Sequence, residues 1–418
     1  MFGGTVRLRS LTIRHAIGFL IIAGCGAIQL AVLARALSAD QLGVVLSCMA
    51  WVATLGELID CRTWEVYATH CKRNQSTARE ALGQLLRYEC MLALGIALSG
   101  AALAWSFSFF WKPVLGTLPL LICVSTTAIS GTESLLRTAM VRLQLFSFVW
   151  KSNIYVSILV SALALLLFWR DSLTADTGLV LISSNRVILL LLYTYKLRSL
   201  AAMVWPSADS VQQSGAPSIQ FTELFWSNLR GSARTVVSRA DRVLLPILWP
   251  AATYAGYDCA RRAIDRINGL GRPLADALLD RHLANQDAGF EGTSVRMALQ
   301  MLPVALLISI AVGMTAQQIS TILYGAVLGK VAAPMLIALC PLCLLLSQSP
   351  ILPILSTSSV KRSLTVKSMC IAVVLAAALC LVRSQSPLLS ALFVTAASLA
   401  VGIFNMQAAL KLRGRNPQ

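Results

Sequence analysis

The chain has 418 residues, 57% hydrophobic and 13% charged, with a mean hydropathy of +0.72, a balance that excludes an ordinary water-soluble domain. Its 35 Lys and Arg against 18 Asp and Glu would suggest nucleic acid in a soluble protein. In so apolar a chain, basic loops held on the cytoplasmic side explain the excess, and no nucleic acid partner is expected.

The composition predicts an all-α polytopic membrane protein. A spanning helix needs about 20 mostly apolar residues, and runs of that kind fall near 16–36, 43–61, 88–110, 113–134, 150–169, 176–195, 222–249, 252–278, 297–317, 331–354, 366–383 and 387–410. That gives about twelve transmembrane helices. The first run reads as a retained helix and not as a cleaved signal, because it is long enough to span and leads straight into another span. The seventh and eighth carry several charges, so a strict hydropathy window would pass them over.

Orientation follows the basic residues of the short loops. Arg7, Arg9, Arg14, Lys72, Arg73, Arg79, Arg137, Arg142, Lys196, Arg198, Arg281, Arg296, Lys361, Arg362, Lys411 and Arg413 fall in one alternating set of loops. The other set is sparse. Both termini are therefore expected in the cytoplasm of a multi-pass protein. The polar stretch with Pro206, Gly215 and Pro217 reads as a linker. The expected organisation is an N-terminal six-helix lobe over 1–200, a cytoplasmic linker over 201–220 and a C-terminal six-helix lobe over 221–418, the two lobes surrounding a central cavity.

The two charged spans hold the main candidate site. In the seventh, Glu223, Ser227, Arg230, Arg234, Ser238 and Asp241 follow helical spacing along one side, with Arg239 and Arg242 beside them. In the eighth, Asp258, Arg262, Asp265, Gly269, Arg272, Asp276 and Asp280 do the same, with Arg266 one turn from Arg262. Charges at bilayer depth cost about 2.5–3.5 kcal/mol each on insertion scales and are aimed at a bundle interior or an aqueous cavity. A cavity with excess Arg suits an anion, because guanidinium binds phosphate and carboxylate through paired hydrogen bonds. Two other readings stay open: structural pairs such as Asp258 with Arg262, or Arg side chains snorkelling to the interface.

Lesser candidates lie in the first half. Glu57 and Asp60 share a face at the end of the second span and would serve as an ion-coupling pair or as partners of Arg62. Arg186 in the sixth span has no acidic neighbour in sequence and is a further cavity candidate. Asn153 and Gln29 read as interhelical hydrogen-bond formers. The 11 cysteines are scattered through apolar runs and read as buried small hydrophobes. The three histidines have no metal-ligand spacing, and no phosphate-binding loop occurs, so neither catalytic residues, metal nor cofactor is expected.

"LARALSADQLGVV" after the first span, "LLRTAMVRLQLFSFVWKSN" after the fourth, "RADRVLLPILWPAATYAGYDCARRAIDRI" across the seventh and eighth and "TILYGAVLG" near the tenth resemble, in order and spacing, bacterial polysaccharide repeat-unit (O-antigen) flippases. These form a branch of the multidrug/oligosaccharidyl-lipid/polysaccharide exporter (MOP) superfamily. The resemblance implies a non-enzymatic transporter of the bacterial inner membrane that moves an undecaprenyl-pyrophosphate-linked oligosaccharide, with membrane lipids, a polysaccharide polymerase and a chain-length regulator as further partners. It also implies that Arg230, Arg234, Arg239, Asp241, Arg242, Asp258, Arg262, Asp265, Arg266 and Arg272 face the substrate. Competing readings are a small-molecule exporter of the same superfamily, a membrane-embedded polymerase or glycosyltransferase, and an assembly scaffold.

Overall fold

A computed structural model describes residues 3–59, 63–64, 66–67, 78–111, 117–142, 145–199, 239–271, 275, 290–352, 355, 361–382 and 386–415. Among these residues all regular structure is helical. In chain order the helices are α1 (Gly3–Ala36), α2 (Ala39–Ile59), α3 (Ala78–Trp111), α4 (Thr117–Ala128), α5 (Ser130–Arg142), α6 (Phe146–Trp169) and α7 (Ala175–Ser199). A short α8 follows over 239–248, then α9 (Ala251–Gly269), α10 (Phe290–Met314), α11 (Ala316–Leu339), a 3-10 helix (Cys340–Gln348), α12 (Lys361–Leu381) and α13 (Pro387–Arg415).

Helix starts follow local chemistry. At the head of α2 the Ser38 hydroxyl accepts from the Gln41 backbone N–H at 3.2 Å, while the Gln41 side chain accepts from the Ser38 N–H at 3.2 Å. This reciprocal box satisfies two donors that the first turn would leave open. Thr174 and Thr177 repeat the arrangement before α7, at 2.8 and 3.3 Å.

Six described stretches are long and apolar enough to cross a membrane, and Ala39–Thr54 and Val366–Leu381 are shorter apolar helices. One of the six, Gly292–Gln348, is 57 residues long, far beyond the about 20 that one crossing needs; Thr315 breaks it between α10 and α11. α9 is not among the six, as its charges lead one to expect. Exposed Leu307, Val327, Val373 and Val374 are the lipid-facing side chains of such helices, whose backbone groups are satisfied internally.

The tenth expected span, 331–354, differs in detail. α11 starts at Ala316, is interrupted at Gly325 (φ 80°, ψ 172°), a backbone conformation that favours glycine, and passes at Cys340 into the 3-10 helix, with Pro341 in its first turn.

The chain divides into two compact units, Met1–Ser47 with Val236–Gln418, and Cys48–Thr235. This grouping places α1 with the C-terminal helices, a different partition from lobes of 1–200 and 221–418; the expected linker at 201–220 lies outside the described residues. In the first unit, α9 packs on α11, α1 on α11, and α10 on the 3-10 helix. Val295, Ala298, Ile351, Leu355, Ala408 and Ala409 form one of its buried clusters. In the second unit, α3 packs on α4 and α7 on both α4 and α6, with a core that includes Val66, Leu82, Leu85, Leu135 and Ala139. There Asn153 of α6 donates to the Tyr193 hydroxyl of α7 at 2.7 Å, the interhelical role expected of it.

Candidate functional site

The site is a hairpin of α8 and α9. Trp249 and Pro250 (φ −57°, ψ 144°) end one helix and start the next, since proline suits a helix start and cannot continue the helix before it. The chain folds back, and residues eight or nine before Pro250 meet residues seven to fifteen after it. The Trp249 and Tyr257 rings meet edge to face at 5.7 Å and 83°, a favoured aromatic geometry.

Across this hairpin the acidic and basic residues interlock. Asp241, 1% exposed, accepts a hydrogen bond from the Tyr257 hydroxyl at 2.5 Å and stands 3.6 Å from Arg261 Nε. Asp258, wholly buried, accepts from Arg262 Nε at 2.5 Å and lies 3.2 Å from Arg242 Nε. Arg242 also bonds Asp265 through Nη2, and Arg261 lies 3.6 Å from the other oxygen of that carboxylate. Each carboxylate thus accepts one hydrogen bond and has a further guanidinium within 3.6 Å, which offsets the cost of burying Asp241 and Asp258.

Arg266 is held differently. Its Nη2 donates to the backbone carbonyl of Gly26 on α1 at 2.5 Å, and among the described residues no carboxylate pairs with it. A Cβ at Gly26 would come within 2.8 Å of that guanidinium, so glycine is what lets the charge approach the α1 backbone. Among the described residues four guanidiniums (Arg242, Arg261, Arg262, Arg266) stand with three carboxylates (Asp241, Asp258, Asp265), Arg266 being the one that no described carboxylate pairs, and Arg239 lies on α8 beside them. The cluster also has a closed and an open side. The Asp241 and Asp258 side chains are buried, whereas Arg262 is 24% and Asp265 39% exposed.

Seven expected site residues are therefore brought together: Arg239, Asp241, Arg242, Asp258, Arg262, Asp265 and Arg266. The pairing of Asp258 with Arg262 is the structural alternative left open by the sequence, and it is present. Arg230, Arg234, Arg272 and Asp60 lie outside the described residues, as does the side chain of Glu57 on α2. Arg186 is half-buried on α7 in the other compact unit. Arg261 and Tyr257 were missed by the sequence reading. The four-residue step from Arg261 to Asp265 was an available signal for the first; nothing in the sequence marked Tyr257 as the partner of Asp241.

An all-α, multi-pass membrane protein with a positively charged cluster between packed helices is the class that fold and site define. Comparison with solved structures names the fold. The chain is similar to the lipid II flippase MurJ in its inward closed conformation, with a TM-score of 0.63 at 11% identity over 96% of this chain and 87% of that one. It is similar to a MOP superfamily transporter from Pyrococcus furiosus whose reversed binding-pocket polarity suggests a different function, with a TM-score of 0.64 at 11% identity over 97% of each chain. It is also similar to the Vibrio cholerae MATE transporter VcmN, with a TM-score of 0.58 at 15% identity over 98% of this chain and 95% of that one. The protein has the fold of MOP superfamily transporters, and these neighbours are transporters and flippases, not enzymes. No family model and no curated protein matches the chain in sequence.

Proposed function

We propose that the protein is a flippase that translocates undecaprenyl-pyrophosphate-linked oligosaccharide repeat units across the bacterial inner (cytoplasmic) membrane by alternating access, supplying O-antigen, capsule or exopolysaccharide synthesis. The observation that carries this reading is Arg266, a half-buried guanidinium held by a backbone carbonyl with no described carboxylate to pair it, which favours an anionic headgroup over a cationic drug. The likeness to a lipid II flippase supports a lipid-linked substrate. Arg262 and Arg266, one turn apart at the open side, are the groups best placed to meet a pyrophosphate, with Arg239 and Arg242 behind them. Arg186, Arg230, Arg234 and Arg272 are proposed as further substrate contacts, and Glu57 and Asp60 as ion-coupling residues. A polymerase and a chain-length regulator would act on the delivered repeat units.

A small-molecule exporter is the second reading, favoured by the MATE structures among the neighbours. The two are separated by deleting the gene in a strain with a single such flippase. The flippase reading expects loss of surface polysaccharide and repeat units held on the cytoplasmic leaflet. Normal polysaccharide in the deletion strain would overturn it.

A further inference from the structure

The three carboxylates of the cluster are not equivalent. Asp241 and Asp258 are sealed inside the hairpin, and each is satisfied there by a hydrogen bond of 2.5 Å, from Tyr257 and Arg262 respectively. Asp265, like Asp258, meets only guanidiniums among the described residues: Arg242 donates a hydrogen bond to one oxygen and Arg261 stands 3.6 Å from the other. It differs in sitting at the open side, with 39% of its side chain exposed. On α9 it lies between the two arginines best placed for an anionic headgroup, three residues after Arg262 and one before Arg266.

A dianionic group approaching Arg262 and Arg266 meets between them an aspartate that already occupies Arg242, the guanidinium behind. A phosphate oxygen accepts from guanidinium as this carboxylate does. We propose that Asp265 is a resident surrogate anion: it neutralises Arg242 and Arg261 while the site is empty and is displaced when a phosphate-bearing ligand binds. The inference rests on the anion-site reading above and adds a residue that tunes affinity. Without Asp265 a pyrophosphate would meet an Arg242 less compensated and leave it more slowly. The competing aspartate weakens the bound state and gives the arginines a partner once the ligand leaves, so that the buried charges are never bare.

The test uses the purified full chain in detergent with inorganic pyrophosphate as the probe, read by calorimetry. Asp265→Asn should bind pyrophosphate about tenfold more tightly than the unaltered protein, and Arg266→Ala should weaken binding in both backgrounds. Binding by Asp265→Asn that is equal or weaker, with dependence on Arg266 kept, would overturn the surrogate role and leave the anion site standing. Failure of every protein to bind pyrophosphate would overturn the anion site and the surrogate together. Should Asp265→Asn not fold, labelling of the unaltered protein with a carbodiimide and an amine decides the matter. Modification of Asp265 should rise when pyrophosphate is present, and an unchanged level would refute displacement.

Discussion

Two helix pairs in this molecule solve the same problem in opposite ways. In one unit, α6 and α7 are apolar over most of their length, long enough to span, and joined across the interface by a neutral hydrogen bond from Asn153 to Tyr193. In the other unit, α8 and α9 carry eight of the described charges and interlock through three ion pairs between them, with two more within α9. The first pair is mostly hydrocarbon with its backbone satisfied internally, its charges being Lys151, Asp176, Arg186, Lys196 and Arg198. The second can be there only as a unit, since each carboxylate depends on a guanidinium from the same hairpin. The comparison teaches where function is written: the first pair meets through a neutral hydrogen bond, and the second holds a guanidinium, Arg266, that no described carboxylate pairs.

The contrast breaks hardest at Asp258. Asp258→Ala leaves Arg242 and Arg262 facing a void and should cost about 3–5 kcal/mol, seen as a large fall in melting temperature or in the amount of folded protein in the membrane. Near-normal stability would mean that the network is not what holds the hairpin. Tyr257→Phe removes the hydroxyl donor from Asp241 and should cost about 1.5–3 kcal/mol, the range for a hydrogen bond to a charged group. Tyr254→Phe, on the same helix, is the sharper control. The Tyr254 hydroxyl is buried with no hydrogen-bond partner among the described residues, so its loss should be neutral or slightly stabilising. In the apolar pair, Asn153→Leu should cost least, about 0.6 kcal/mol on the average found for interhelical hydrogen bonds in membranes. A loss there as large as that of Asp258→Ala would erase the distinction between the two pairs.

Much of this was legible in the sequence, for a physical reason: a bilayer imposes a minimum run length and a helix imposes its period. Run length located α1, α6, α7 and α13. The steps of three and four through Asp258, Arg262 and Asp265 located the polar face of α9. What was not legible depends on residues far apart in the chain. Arg266 finds its acceptor 240 residues away, at Gly26, and the grouping of α1 with the C-terminal helices follows from such contacts. The interruption of α11 at Gly325 and its 3-10 continuation were hidden because an apolar run looks alike whether or not its backbone bends. Arg261 was passed over in favour of Arg262, although it too lies in step, three residues after Asp258 and four before Asp265, and stands 3.6 Å from Asp241 across the hairpin.

The central claim is that the positive excess of the α9 cluster belongs to the transport path and not to the fold. Arg266 tests it most directly, since its bond is to a backbone carbonyl and its removal strands no carboxylate. In a deletion strain carrying Arg266→Ala, with membrane protein levels measured alongside surface polysaccharide, the account predicts loss of polysaccharide at normal protein level. Full polysaccharide at that level would contradict it and reduce the cluster to a structural lock between helices.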